Sequence, residues 1–297
     1  MSPVFLMNLE YLGLALGFFG ACAQAANYAF TKDCVEKYHL QGIRQLIAVH
    51  ILMFVMVIIP FFAFEYWRFF SLQTVIYCLC IIVPYLLAQY LMIRALTIAD
   101  SSIISPLLTI KIPILALISV LLFDQTFSPL QLLCVTVIIC LGFYFSSLSG
   151  RVKLGPLCLI ALACTCFSTS DIAMTLFMKT LPTTRFHQIT AGIAYEYFAC
   201  AVFAVPLMFY KPLNIHTKEV WQTKWIGLAW MLSMVGIVGC FNLAGVVEGN
   251  IIQTLRSVIG IIIAYLFYRQ YIHDHSTFKK KMSIAIGMFI AVTVYYL

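Results

Sequence analysis

Residues 107–125 read LLTIKIPILALISVLLFDQ, and residues 252–270 read IQTLRSVIGIIIAYLFYRQ. At a displacement of 145, Thr109-Ile110-Lys111 falls on Thr254-Leu255-Arg256, and Gln125 falls on Gln270. Each stretch is an apolar run with a cation at its fifth position, Lys111 or Arg256. A displacement of 144 brings a second pair of patterns together: Gly13, Gly17, Ala21, Ala25 and Ala29 over Leu157, Ala161, Thr165, Thr169 and Ala173. Mostly small residues at every fourth position let helix backbones approach closely in a membrane. The two displacements nearly agree and lie close to half of the 297 residues. The chain therefore reads as a duplication, with halves 1–150 and 151–297.

A membrane span needs about 20 predominantly apolar residues. Ten such runs are present: 9–30, 43–64, 71–93, 99–122, 129–148, 154–177, 188–210, 224–245, 249–268 and 278–297. The short breaks between them carry the charges, among them Lys32-Asp33, Arg68, Asp124, Arg151, Lys179 and the segments Lys211 to Lys224 and Arg269 to Lys281. The expected fold is an all-α integral membrane protein of ten transmembrane helices. With five helices in each half, the second half must insert upside-down relative to the first. Inverted repeats of this kind belong to secondary transporters, whose substrate site lies near the midplane between the repeats.

Composition agrees with this reading. Hydrophobic residues make up 63% of the chain and charged residues 10%, whereas soluble domains carry about 25% charge. Mean hydropathy over the whole chain is +1.00, so lipid is the solvent for most of it. The net charge of +7 is spread thinly between apolar runs. No basic stripe with interleaved aromatics is present, which argues against nucleic acid as a partner. Most of the 11 cysteines lie inside apolar runs, where Cys acts as a small hydrophobe. The Cys78/Cys80 and Cys164/Cys166 pairs fit neither zinc nor redox spacings. No metal, cofactor or catalytic residue is expected. The first run exceeds a signal-peptide core and lacks a basic leader, so it reads as a retained span. Thirteen Lys and Arg residues fall in the breaks after spans one, three, five, seven and nine, and three (Arg68, Lys179, Arg185) fall on the other side. The positive-inside rule then puts both termini outside the cytoplasm.

From Tyr90 to Ser147 the chain resembles a repeat of the drug/metabolite transporter superfamily, EamA type. The resemblance is carried by Arg94-Ala95-Leu96, Asp100-Ser101-Ser102, Ile104-Ser105-Pro106-Leu107, Pro113, Leu121 to Asp124, and Ser128-Pro129-Leu130-Gln131. The second half matches more loosely through Gly249-Asn250-Ile251-Ile252, Gln253 to Gly260 and the last span. The resemblance implies a ten-helix permease. It also implies cytoplasmic termini, against the charge count. Leu255-Arg256-Ser257 departs from the proline-bearing stretch of many members. Triose-phosphate and nucleotide-sugar transporters of the same superfamily use basic residues on helices four and nine, which by this likeness correspond to Lys111 and Arg256.

Charge inside a span is costly and marks function or a buried partner. Lys111, Arg256, Asp171 and Glu196 lie deep in spans four, nine, six and seven. Two readings stand side by side. In one, Lys111 and Arg256 share a central cavity and bind an anionic group; in the other, they neutralise Asp171 and Glu196. Glu196 and Asp171 are also candidate proton carriers, as intramembrane carboxyls often are. Gln24, Asn27, Gln89, Ser105 and Gln253 offer further polar lining, and Thr109 reads as bonded to its own helix. His50 and His187 read as structural or interfacial. The two prolines of span four, Pro106 and Pro113, could loosen the backbone beside Lys111.

The expected function is a secondary transporter of a small anionic or zwitterionic metabolite, an amino acid or nucleotide-like molecule, by proton coupling or exchange. Rivals are a flippase for a lipid or lipid-linked sugar, a drug or cation exporter, a membrane-embedded enzyme and an assembly partner without a solute path. No G-x-x-x-x-G-K-[ST] loop is present to bind a nucleotide triphosphate. Expected partners are the small-molecule substrate and membrane lipid, as a monomer or homodimer. The compact loops and the lack of N-x-[ST] sequons suit a bacterial inner membrane.

Overall fold

The structure, a computed structural model, describes residues 3–40, 42–96, 107–148, 154–267 and 275–296. Among these residues every regular element is helical and no strand occurs. Eleven main helices follow one another: α1 (Pro3–Tyr38), α2 (Gly42–Ala63), α3 (Leu72–Leu96), α4 (Lys111–Phe123), α5 (Pro129–Ser147), α6 (Leu154–Thr180), α7 (Arg185–Met208), α8 (Lys224–Leu243), α9 (Val246–Gln253), α10 (Leu255–Phe267) and α11 (His275–Tyr295). Short helical turns lie at Tyr66–Phe69, Leu108–Ile110 and Thr217–Gln222. Seven helices (α1, α2, α3, α5, α6, α7 and α8) are long and apolar enough to cross a membrane. The protein is a multi-pass membrane protein. Large apolar side chains such as Ile59, Leu72, Leu121, Leu154 and Val202 stand exposed on its outer surface, as lipid-facing residues should.

Local chemistry sets the ends of these helices. Ser128 caps α5 with a reciprocal box: its hydroxyl accepts from the Gln131 backbone N–H at 3.2 Å, and Gln131 Oε1 accepts from the Ser128 N–H at 2.9 Å. Pro129 follows at the first helical position, where its missing N–H costs nothing. Asp124 ends α4 in the left-handed region. Gly245, at φ +128°, starts α9, and a Cβ there would strike the Glu248 carboxylate.

The spans pack across the two halves of the chain. α1 runs along α8, α3 along α6, α2 along α7 and α5 along α11, while α1 also touches α9 and α10, and α6 touches α4. Gly13, Gly17, Ala21 and Ala25 of the small-residue stripe are buried. Gly17 lies against Cys240, and Gly20, one position off the stripe, meets Gly236 backbone to backbone. The second stripe behaves differently. Thr165 and Thr169 face outward, with their hydroxyls on the carbonyls of Ala161 and Thr165. The buried face of α6 is instead Pro156, Ile160, Ala163, Cys164 and Ser168. The packing register of α1 and α6 therefore differs by 143 and not by 144, because the contact face sits one residue earlier than the small residues suggest.

At one end of the bundle, polar side chains knit the connections together. The Tyr66 hydroxyl sits between His187 Nδ1 (3.0 Å) and the Thr190 hydroxyl, and Tyr195 donates to the Tyr66 carbonyl at 2.7 Å. Burial pushes the Tyr66 hydroxyl up from its ordinary value, against the opposing effect of its bond to Thr190. Gln125 reaches Glu248 at 3.3 Å, and Arg185 donates to the Asn242 carbonyl at 3.0 Å. At the opposite end, Arg44 pairs with Glu219 at 2.5 Å.

Candidate functional site

The two basic residues occupy matching local structures. Leu108–Ile110 forms a tight turn in which the Lys111 N–H bonds back to the Leu108 carbonyl, and α4 starts at Lys111. In the second half Thr254 interrupts the helix between α9 and α10, with the Thr254 N–H on the Ile251 carbonyl and the Ser257 N–H on the Thr254 carbonyl. Such three-residue turns are tighter than an α-helix and are used in short pieces. A void of about 10 Å³ lies between the two turns and is lined by Lys111, Asn250, Gln253 and Arg256, among others.

Both cations also face a cavity of about 640 Å³ that reaches from the middle of the helices toward Val35 and Gly42, where α1 hands over to α2. Of the residues singled out in the sequence, Lys111, Arg256, Gln24, Asn27, Gln89, Gln253, Glu196 and Asp171 line it. Ser105 lies outside the described residues. Aromatic wall comes from Tyr28, Tyr85, Phe167, Trp230 and Phe241. The volume falls in the range of about 300–1,000 Å³ common for small-molecule sites.

The four ionisable residues do not pair symmetrically. Lys111 Nζ lies 2.5 Å from Asp171 Oδ2, with the side chains 12% and 18% exposed. Asn250 Nδ2 donates to the same oxygen at 2.9 Å, and the Lys111 ammonium stands 5.6 Å from the centre of the Phe167 ring. Arg256 has no acidic partner among the described residues. Its Nη1 donates to Gln24 Oε1 at 3.1 Å, and its Nε is buried without a partner. Glu196 is 3% exposed, and its Oε2 accepts no hydrogen bond. Lys111 is thus paired with Asp171, while Arg256 faces the cavity with no acidic partner among the described residues.

Asn250 and the five aromatics of the cavity wall were not singled out as site residues. Asn250 left a signal, a lone amide at the start of an apolar run. Phe167, Tyr85 and Trp230 left none, since 15% of the chain is aromatic. His50 is buried in the core rather than interfacial, with Nδ1 2.8 Å from the Leu46 carbonyl and Nε2 3.0 Å from the Tyr85 hydroxyl. Asn27 donates to the Ile226 carbonyl at 2.9 Å, so its amide nitrogen is engaged in joining α1 to α8.

No family model matches the chain, and no curated protein matches it. Among solved structures, the chain is similar to one described only as "Crystal structure of protein". The two share 13% identity over 95% of this chain and 96% of that chain, with a TM-score of 0.65. At that identity the likeness is one of fold alone, and it extends over nearly the full length of both.

Proposed function

We propose that the chain is a secondary transporter of the drug/metabolite type, built from ten spans in two inverted repeats, that moves a small anionic or zwitterionic metabolite by alternating access. The observation that carries this reading is Arg256: a cation with no acidic partner among the described residues, on the wall of a 640 Å³ cavity lined by both halves of the chain. An intramembrane charge left unpaired is costly and marks a substrate or ion path. An arginine fork suits carboxylate or phosphate.

The duplication is supported by burial as well as by sequence. Buried Gly13, Gly17, Gly20, Ala21 and Ala25 correspond at a displacement of 143 to buried Pro156, Ile160, Ala163, Cys164 and Ser168. Gln45, Ile47 to Met53 and Val57 of α2 correspond at 144 to Ile189, Ala191 to Tyr197 and Ala201 of α7, all buried. Exchanging the halves turns the α1–α8 contact into the α6–α3 contact and carries the α2–α7 and α5–α11 contacts onto themselves. On this count α9 and α10 together form span nine, broken beside Arg256. Broken helices at corresponding positions of the two halves are where transporters of this architecture bind their cargo.

Glu196 is the proton-coupling candidate, because, unlike Asp171, it has no cation paired with it among the described residues. The cavity reaches the end that is rich in Lys and Arg, which the positive-inside rule places in the cytoplasm, and a bacterial inner membrane is the proposed location. The test is a thermal-shift screen of the purified protein against amino acids, nucleotides, sugar phosphates and lipophilic cations. A ligand that binds only the folded state raises the melting temperature by mass action. An anionic or zwitterionic metabolite should stabilise the wild type and not the Lys111→Met/Arg256→Met variant. Stabilisation by lipophilic cations alone, or an equal response in the variant, would overturn the reading.

A further inference from the structure

Within the transport reading, two cations and two acidic side chains line the cavity, and among the described residues one of each is paired. Lys111 and Asp171 satisfy one another. Arg256 and Glu196 form no ion pair among the described residues, although both line the same cavity. A ligand with a single charge meets one of them and leaves the other buried without a partner. A ligand with both charges relieves both.

The surroundings of Glu196 fit the cationic end of such a ligand. The Leu46 carbonyl can only accept, so in the neutral ring His50 Nδ1 carries the proton, and Nε2 accepts from the Tyr85 hydroxyl. The Tyr85 oxygen therefore turns lone pairs, not its proton, toward its other neighbours, among them Gln89 and Tyr197, and Glu196 lines the same cavity. A carboxyl and a hydroxyl oxygen that both accept on the wall of one cavity suit a group with several protons and a positive charge. Trp230 stands against the same imidazole, with ring centroids 5.8 Å apart, and also lines the cavity. Aromatic faces of this kind attract cations, indole most strongly.

We propose that Glu196, Tyr85 and Trp230 form a binding pole for the primary ammonium group of a zwitterionic metabolite whose carboxylate sits on Arg256, with His50 as the residue that positions the Tyr85 hydroxyl. This deepens the transport reading by naming the substrate as an amino-acid-like zwitterion with an apolar side chain. It gives Glu196 a direct hold on the cargo in addition to any proton it carries.

The experiment is direct binding to the full-length protein in detergent. L-leucine and L-phenylalanine serve as zwitterions, N-acetyl-L-phenylalanine lacks the ammonium charge, and L-phenylalaninamide lacks the carboxylate. L-phenylalanine should bind at least about thirtyfold more tightly than either derivative, which corresponds to the loss of one partner of a buried charge pair. Glu196→Gln should reduce L-phenylalanine to the affinity of its N-acetyl derivative, and Arg256→Gln should reduce it to that of the amide. His50→Leu should erode the same selectivity, with Tyr85→Phe adding nothing in that background. A merely structural histidine would lower stability and leave the ratio unchanged. Equal affinity of the wild type for L-phenylalanine and its N-acetyl derivative, or no saturable binding of either zwitterion, overturns the proposal. This comparison of ligands on the wild type decides the matter even if a variant fails to fold. Tight N-acetyl-L-phenylalanine binding that depends on Arg256 alone would sink the ammonium pole and keep the anion site. Binding of the amide through Glu196, with Arg256→Gln silent, would do the reverse.

Discussion

The seam between α1 and α8 gives the sharpest test of the packing. A Cβ at position 236 would stand 2.5 Å from the Leu16 carbonyl oxygen and 2.6 Å from both the Cα and N of Gly20, against 3.4 Å for ordinary contact. Every one of those atoms is backbone, so no rotamer change can make room, and the two helices must part by nearly 1 Å. Overpacking costs about 1–3 kcal/mol, and Gly236→Ala belongs at the upper end because two long helices have to move. At about 2–4 °C per kcal/mol for a chain of this size, the melting temperature should fall by about 6–12 °C. The same displacement should stretch the 3.1 Å bond from Arg256 to Gln24, which lies one turn beyond Gly20. Thermal unfolding can be followed with a thiol-reactive dye, since six of the 11 cysteines are buried. Gly155→Ala is the control: its Cβ would meet nothing within 4 Å, and a change within about 0.5 kcal/mol is expected. If Gly236→Ala melts together with Gly155→Ala, the backbone contact is not as close as described and the reasoning fails.

Two further outcomes can be measured. Lys111→Met leaves Asp171 with only the Asn250 amide and should cost about 3–5 kcal/mol, whereas Lys111→Met with Asp171→Asn should recover most of that loss; equal loss in the single and double variants would show that the pair is not coupled. Tyr66→Phe removes the hydroxyl held by His187 and Thr190 and should cost about 1 kcal/mol. Because burial pushes that hydroxyl up, its contribution should hold through neutral pH and decline only above about pH 10, where the unfolded chain's phenol ionises and the folded one resists. A contribution that faded between about pH 7 and pH 9 would contradict this.

The features that sequence made legible are those with a large cost in lipid. Lys111, Arg256, Asp171 and Glu196 stood out because each is a charge within an apolar run, and all four line one cavity. Their pairing was not legible. Depth along a span does not say which way a side chain points around the helix, and only the packing of α4 against α6 brings Lys111 to Asp171 rather than Arg256 to Glu196. The small-residue stripe of α1 foretold a close contact, yet the tightest approach uses Gly20 and Gly236, set by ridges and not by strict spacing. In α6 the same spacing misled. Thr165 and Thr169 are small, but hydroxyls satisfied by their own helix carbonyls can face lipid as easily as a neighbour. Ser128-Pro129-Leu130-Gln131 forms the cap its chemistry requires, because a capping box is a local device. The aromatic wall of Tyr85, Phe167 and Trp230 is assembled from three separate helices, and no window of sequence contains it.

The two ends of the bundle differ in what holds them. At the knitted end, the bonds of Tyr66 to His187 and Thr190, of Gln125 to Glu248 and of Arg185 to the Asn242 carbonyl bring no opposite charges together. At the end toward which the cavity reaches, Arg44 and Glu219 form an exposed ion pair. Dissolved ions screen exposed charge pairs and barely affect dipolar contacts. Raising ionic strength therefore loosens the tie between α2 and the 217–222 turn at one end, whereas at the other it reaches only the local Arg68–Glu65 pair within a single turn and leaves the bonds between helices as they were.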